Sequence, residues 1–142
     1  MKQTILIAAV LVQMLTGAAH AANEAEVAGL YENQSESSFV FTLKLEKAGR
    51  AIYTEPDSEG GKSFVRTGKW VLAGDSVTID LGKDGRYTYA VRESLAWESF
   101  GCKGSSFGLE VQAIPKVGAT KDSRYHMWRA VDRKKIERCH YG

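Results

Sequence analysis

The chain contains 142 residues, carries a formal net charge of +2 and has only two cysteines and two prolines. It has no zinc-type cysteine spacing, no phosphate-binding glycine loop and no dinucleotide-binding fingerprint, which argues against the commonest metal-binding and nucleotide-binding classes. Without the N-terminal segment described next, the chain is long enough for one domain with a single core and too short for two.

The N-terminus has the features of a cleavable secretory signal peptide. Lys2 supplies a positive charge, and residues 5–15 form an apolar stretch that is too short to span a bilayer. Residues 19–21 then provide an Ala-x-Ala cleavage site, and a polar segment follows without a stop-transfer pattern. We expect export from a bacterial cytoplasm, removal of residues 1–21, and a soluble periplasmic or secreted domain formed by residues 22–142. No cysteine lies at the cleavage site, so neither a lipid anchor nor a transmembrane segment is expected after cleavage.

Both cysteines, Cys102 and Cys139, lie in the mature part of the chain. An even number of cysteines in an oxidising compartment favours a disulfide between them. A pair of free thiols and metal ligation are the alternatives.

Charge is distributed unevenly along the mature chain. Residues 23–60 are mainly acidic, whereas the part from residue 116 onward is mainly basic. In the envelope, a basic surface could meet anionic lipid, acidic glycan or an acidic protein, and nucleic acid is not an expected partner. The candidate interaction residues are Arg124, Tyr125, Arg129, Arg133, Lys134 and Lys135. The alternative is an ordinary solvated surface.

Apolar and polar side chains alternate along most of the mature chain, which is the period of a β-strand. Phe41, Leu43 and Leu45, for example, alternate with their polar neighbours. Strands are predicted over residues 39–46, 51–54, 64–72, 77–81, 87–91 and 107–113. Residues 99–108, rich in glycine and serine, predict a loop, and residues 124–139 suit either a last hairpin or a short helix.

About seven to nine short strands, each with one apolar face, cannot all be buried in an open sheet of this size. Closure of the sheet removes the exposed edges. We therefore expect an all-β fold, a small antiparallel β-barrel or tight sandwich forming a single domain with one disulfide.

Several motifs resemble those of the N-terminal domain of NlpE-type envelope lipoproteins. They are Gly29-Leu30-Tyr31, Leu43-x-Leu45 with Gly49 and Tyr53, Phe64 with Gly68-Lys69-Trp70, and Gly74-Asp75-x-Val77-x-Ile79-x-Leu81. The resemblance covers residues 27–95 and implies a lipocalin-like barrel with a role in copper handling or surface-sensing stress signalling. The chain lacks the family's Cys-x-x-Cys at residues 32–38 and its lipid-anchor cysteine, so no binding residue carries over.

Residues 104–108 match the letters of the Gly-x-Ser-x-Gly nucleophile elbow. The elbow requires a sharp turn from a strand into a helix, whereas the residues that follow alternate as a strand. Ser106 could pair only with His126 or His140 as a base. The carboxylates at positions 93 and 98 have no neighbour that would separate their pKa values. We expect no catalytic residue and a non-enzymatic protein.

A metal site could be drawn from His126, Met127, Cys139 and His140, a mixture of imidazole and sulfur that suits copper. His126 and Met127 are sequence neighbours, so on a strand their side chains face opposite sides. The same holds for Cys139 and His140. No metal and no cofactor are therefore expected.

Binding remains as the expected activity. Small barrels either fill their interior or hold a small apolar ligand. The aromatic residues that could line such a pocket are Tyr31, Tyr53, Trp70, Tyr87, Tyr89 and Trp97. The alternative for them is core packing. We expect a binding role toward a small ligand or an envelope component.

A protein that caps another protein, either an inhibitor of a cell-wall hydrolase or an immunity protein against a toxin, is the alternative function. Ser123-Arg124-Tyr125 resembles part of the Ser-Gly-x-x-Tyr loop of periplasmic lysozyme inhibitors, with the glycine absent. Lysozymes are usually basic, so such an inhibitor would present the acidic half of the chain, residues 24–59.

Overall fold

A computed structural model describes residues 21–34, 40–57, 59–96, 104–112 and 126–132. Within these residues, eight strands form one closed antiparallel barrel, in which each strand pairs with the next in sequence and the last pairs with the first. The strands are β1 (Gly29–Gln34), β2 (Val40–Leu45), β3 (Arg50–Glu55), β4 (Phe64–Ala73), β5 (Ser76–Asp80), β6 (Arg86–Ala96), β7 (Ser105–Val111) and β8 (Met127–Arg129). Helix α1 (Glu24–Val27) precedes β1, and a 3-10 turn (Gly82–Asp84) joins β5 to β6.

The structure confirms the predicted all-β antiparallel barrel, and the eight strands fall within the expected range. The alternation that predicted the strands is visible in their burial. In β2, Phe41, Leu43 and Leu45 are buried. Their neighbours Thr42 and Lys44 are half-buried and exposed, because they face away from the barrel interior.

The predicted loop over residues 99–108 and the predicted strand over residues 107–113 overlap, and the structure extends the strand back to Ser105, so the loop prediction is wrong from that residue onward. Strand β6 also continues to Ala96, beyond its predicted end. The pairing of β6 with β7 shifts register between Arg92 and Leu95, and this irregularity interrupts the simple alternation on which the prediction relied.

A small cluster separate from the main core accounts for this longer pairing. Leu95 and Trp128 are buried against each other, and the Trp128 indole nitrogen donates a hydrogen bond to the carbonyl oxygen of Leu95 at 3.3 Å. Gly108 pairs with Trp128 and leaves room for the cluster, because a Cβ at this position would lie 2.8 Å from Cδ2 of Leu95. The glycine at position 108, which contributed to the loop prediction, is thus required by its neighbours in space.

The end of the described chain combines features of both predicted alternatives. Strand β8 is only three residues long, and residues 130–132 then turn into a helix. The second arm of the predicted hairpin, residues 135–139, lies outside the described residues.

Because all strands are antiparallel, the two ends of the barrel differ in what they carry. The end at which β1, β3, β5 and β7 finish includes the 3-10 turn between β5 and β6, and is called the loop end. The opposite end carries α1 and the short turns from β2 to β3 and from β4 to β5, and is called the helix end.

One continuous core fills the barrel and reaches α1. It consists of Val27, Tyr31, Phe41, Leu43, Leu45, Ala51, Tyr53, Trp70, Val77, Ile79, Leu81, Tyr87, Tyr89, Val91, Leu109 and Met127. Helix α1 is held by a capping box, in which the Asn23 side chain accepts from the Glu26 amide at 3.0 Å and the Glu26 carboxylate accepts from the Asn23 amide at 3.2 Å. The Tyr31 hydroxyl donates to the Val27 carbonyl oxygen at 2.5 Å and so fixes the helix against the barrel.

Gly68 lies where two backbone segments of the barrel wall come close together. A Cβ at this position would lie 2.8 Å from the carbonyl carbon of Asp80 and 2.9 Å from Cα of Leu81. Both are backbone atoms that cannot rotate away. The chain can therefore bend from β5 into the 3-10 turn at this place only if β4 contributes no side chain.

Candidate functional site

A buried polar side chain faces the barrel interior near the loop end. Among the described residues, Asn33 is the only polar residue classed as buried, with 5 % of its surface exposed. Its position two residues after Tyr31 puts it on the interior face of β1, and it pairs with Phe41 of β2. Its Nδ2 donates to the His126 carbonyl oxygen at 2.5 Å. Its Oδ1 is fully buried and has no hydrogen-bond partner among the described residues.

Aromatic rings form the interior layer at this same end. Phe41, Tyr53 and Tyr87 keep 8–9 % of their surface exposed, whereas Tyr31 and Leu109 are completely buried. The Tyr87 hydroxyl donates to the Asp84 carbonyl oxygen at 2.6 Å. The loop end therefore combines aromatic side chains with an unsatisfied hydrogen-bond acceptor at the same level of the barrel.

Charged residues surround this end of the barrel. The Arg66 guanidinium forms an ion pair with Glu55 at 2.8 Å and lies 4.0 Å from the Asp84 carboxylate. Its Cζ also lies 5.9 Å from the centre of the Tyr53 ring. This arrangement places a paired guanidinium beside the Tyr53 ring and so forms a charged rim at the loop end.

The aromatic residues predicted to line a ligand pocket are divided between the two ends. Tyr53 and Tyr87 lie at the loop end, and Tyr31 and Trp70 lie toward the helix end, where the Trp70 indole donates to the Glu46 carbonyl oxygen at 2.8 Å. Tyr89 lies between them, and burial raises the pKa of its phenol far above the usual value. All five belong to the core. Trp97 lies outside the described residues.

At the helix end, Arg129 extends its side chain into the barrel. The guanidinium carbon lies 4.6 Å from the centre of the Phe107 ring and 5.3 Å from that of Tyr31. Nε of Arg129 is buried without a hydrogen-bond partner among the described residues. Burial raises the pKa of the Tyr31 phenol, and the nearby Arg129 charge opposes this rise. The sequence predicted Arg129 as part of an interaction surface, and the structure shows that its guanidinium also packs against two aromatic rings.

Replacement of Arg129 by alanine is expected to lower the free energy of unfolding by about 2 kcal/mol, because two desolvated cation–π contacts and their packing are lost. Arg129→Lys should be more stable than Arg129→Ala but less stable than the wild type, since an ammonium lacks the planar face of a guanidinium. Urea denaturation checks the effect. Arg50→Ala, at an exposed site on β3, is the control and should change stability by less than about 0.5 kcal/mol. Equal effects of Arg129→Ala and the control would contradict the proposed contacts.

A groove opens beside Arg129 between α1, β6 and β7. It has a volume of about 520 Å³ and is lined by Glu26, Glu93, Phe107, Arg129, Val131 and Asp132. A neighbouring groove of about 360 Å³ shares three of these residues and is otherwise lined by Ala22, Asp75, Val91 and Arg92. Together they are called the acidic groove.

Carboxylates dominate the electrostatics of the acidic groove. Of its two arginines, Arg92 is paired with Glu110 at 2.6 Å, and Arg129 is held on aromatic faces. The lining contains four carboxylates, those of Glu26, Asp75, Glu93 and Asp132, and therefore more negative than positive side chains. The groove has the character of a site for positive charge.

The other predicted candidates show structural roles. Ser106 lies within the extended strand β7, so residues 104–108 do not form the strand-to-helix turn of a nucleophile elbow. Nδ1 of His126 accepts a hydrogen bond from the Val111 amide at 3.1 Å, and its ring meets Trp128 edge-on at 6.3 Å. Met127 is buried in the core.

Several predicted residues cannot be placed. The residues that lie outside the described part of the chain are Cys102, Cys139, His140, Glu98, Arg124, Tyr125, Arg133, Lys134 and Lys135. Within the described part of the chain, no group of three or more histidine, cysteine, aspartate or glutamate side chains could hold a metal ion. No helix among those residues is long and apolar enough to cross a membrane.

Comparison with models of known protein families found no match, and neither curated proteins nor solved structures gave one.

Proposed function

We propose that this chain is an exported, non-enzymatic protein of the bacterial envelope that binds a small ligand at the loop end of its barrel. The ligand is largely apolar and carries one hydrogen-bond donor. The observation that supports this is the buried, unsatisfied Oδ1 of Asn33. Leaving such an acceptor without a partner costs about 1–3 kcal/mol, and a donor on a bound molecule would remove that cost.

The surroundings of Asn33 suit an apolar molecule. Phe41 pairs directly with Asn33, and Tyr53 and Tyr87 contribute rings at the same end. Ligand sites are usually apolar and aromatic, with few polar groups that set orientation. The charged rim around Arg66 would then disfavour ligands that have no polar group to pair with its charged side chains.

Export to the periplasm is proposed from the signal-peptide pattern at the N-terminus. A lipocalin-like barrel of the NlpE type is proposed from the sequence motifs, and the closed order of eight strands is compatible with it. Copper handling is not part of the proposal, because the Cys-x-x-Cys of that family is absent.

The disulfide between Cys102 and Cys139 is also proposed. Cys102 lies in the connection from β6 to β7, and Cys139 lies in the chain that follows β8. The described ends of β6 and β8, from which the chain continues toward the two cysteines, both lie at the helix end, and this supports the proposal.

Native mass spectrometry of the protein purified from periplasm tests the ligand proposal. We expect a retained small molecule on the wild-type protein and an affinity for it that is about tenfold lower in Asn33→Leu, since that variant removes the acceptor while keeping similar volume. Thr42→Val, on the outward side of β2, should bind as the wild type does. Thermal unfolding confirms that both variants fold.

Equal binding by Asn33→Leu and the wild type would contradict the assigned site. Protein that carries no small molecule, but copurifies in equal stoichiometry with a cell-wall hydrolase or toxin, would instead support the alternative function of an inhibitor or immunity protein.

A further inference from the structure

The acidic groove lies immediately before the most basic segment of the chain. Asp132 lines the groove and is followed by residues 133–142. This segment carries Arg133, Lys134, Lys135 and Arg138 against a single carboxylate, Glu137. The charges of the groove and of the segment are therefore opposite in sign.

The groove also offers apolar surface that no described residue covers. Val131, on its rim, is 76 % exposed, and Phe107 contributes to its wall. The basic segment includes Ile136 and Tyr141, which could cover such surface. An occupant with both cations and apolar side chains would match both features of the groove.

Tethering favours this segment over any external partner. Ten residues can extend about 33 Å at most, and the segment begins at the groove wall, so it can reach every part of the groove. A short tether gives an effective concentration on the order of millimolar, which a separate basic protein rarely reaches.

We propose that the acidic groove is the docking site of this chain's own basic segment, residues 133–142, with lysine and arginine side chains of that segment paired with Glu26 and Glu93. Docking covers the groove at the helix end. It is independent of the ligand site proposed at the loop end, so failure of either proposal leaves the other untouched.

Zero-length carbodiimide crosslinking tests the proposal in the full purified chain, because the reagent joins only carboxylates and lysine amines in direct contact. After chymotrypsin digestion, we expect a crosslink from Glu26 or Glu93 to Lys134 or Lys135. The Lys44–Glu46 ion pair, at 2.9 Å, serves as the internal positive control. The groove crosslink should fall severalfold in 1 M salt, since the attraction is electrostatic.

Matched variants and isotope labelling test whether the crosslink depends on the groove carboxylates and forms within one chain. Glu26→Gln with Glu93→Gln should abolish the crosslink, and glutamine at position 26 can still complete the capping box, so the fold of α1 is retained. Circular dichroism checks that retention. In an equal mixture of unlabelled and ¹⁵N-labelled chains, crosslinks should join peptides of the same label only.

A reactive Lys44–Glu46 control without any groove crosslink would overturn the proposal. Crosslinks that join peptides of different labels would also overturn it, and would assign the groove to the basic segment of a second copy.

Discussion

Replacing Gly68 by alanine is expected to destabilise the barrel by about 2–3 kcal/mol, the largest effect we expect from adding one methyl group. The added Cβ would overlap backbone atoms of Asp80 and Leu81, and neither can move without displacing the end of β5. Forcing an extra methyl group into a filled site typically costs about 1–3 kcal/mol, and a rigid backbone neighbour places this site at the upper end of that range.

Urea denaturation of Gly68→Ala and of a control checks this expectation. Gly61→Ala is the matched control, because its Cβ would meet only the side chain of Asp57, which is half-buried and, unlike a backbone atom, can rotate. The control should change stability by less than about 0.5 kcal/mol. A Gly68→Ala protein as stable as the control would show that β4 and the segment after β5 are not in close contact.

Loss of the proposed disulfide is expected to lower stability by up to about 4 kcal/mol, because a bridge between Cys102 and Cys139 closes a long loop in the unfolded chain. The measurement is the urea midpoint of protein purified from periplasm, with and without reductant. The double variant Cys102→Ser with Cys139→Ser should match the reduced wild type and should not respond to reductant.

Thiol counting provides the decisive control for the bridge. Under denaturing conditions, unreduced wild-type protein should contain no reactive thiol. Two reactive thiols, or a midpoint that reductant does not change, would contradict the disulfide and favour the free-thiol alternative.

Strands with one buried face were predicted well from sequence. In β2, β3 and β5 the observed boundaries lie within one residue of the predicted ones. These strands keep strict alternation, because one face meets the core and the other meets water along their whole length. The boundaries of β6 and β7 were predicted less well, because strict alternation is interrupted there. Leu95 is buried with Trp128 in the separate cluster, and the pairing of the two strands shifts register before it.

The candidate sites were only partly predictable. Tyr53 and Tyr87 were predicted as pocket residues and lie at the loop end. Asn33 was missed, although alternation from Tyr31 would have placed it on the interior face of β1. A polar residue in an apolar pattern is usually attributed to the end of a strand, and its orphaned oxygen becomes evident only once its neighbours in space are known.

The sequence by itself determined the all-β class and the period of most strands, because alternation, glycine-containing turns and strand length are local properties. Only the tertiary structure decided how the barrel closes. Strand β8 is three residues long and joins β1 through two residue pairs, Tyr31 with Arg129 and Glu32 with Trp128. Nothing local to residues 127–129 identifies β1 as their partner. The partner follows from burial of Met127 in the shared core and from stacking of Arg129 on Tyr31 and Phe107, which are contacts between residues distant in sequence.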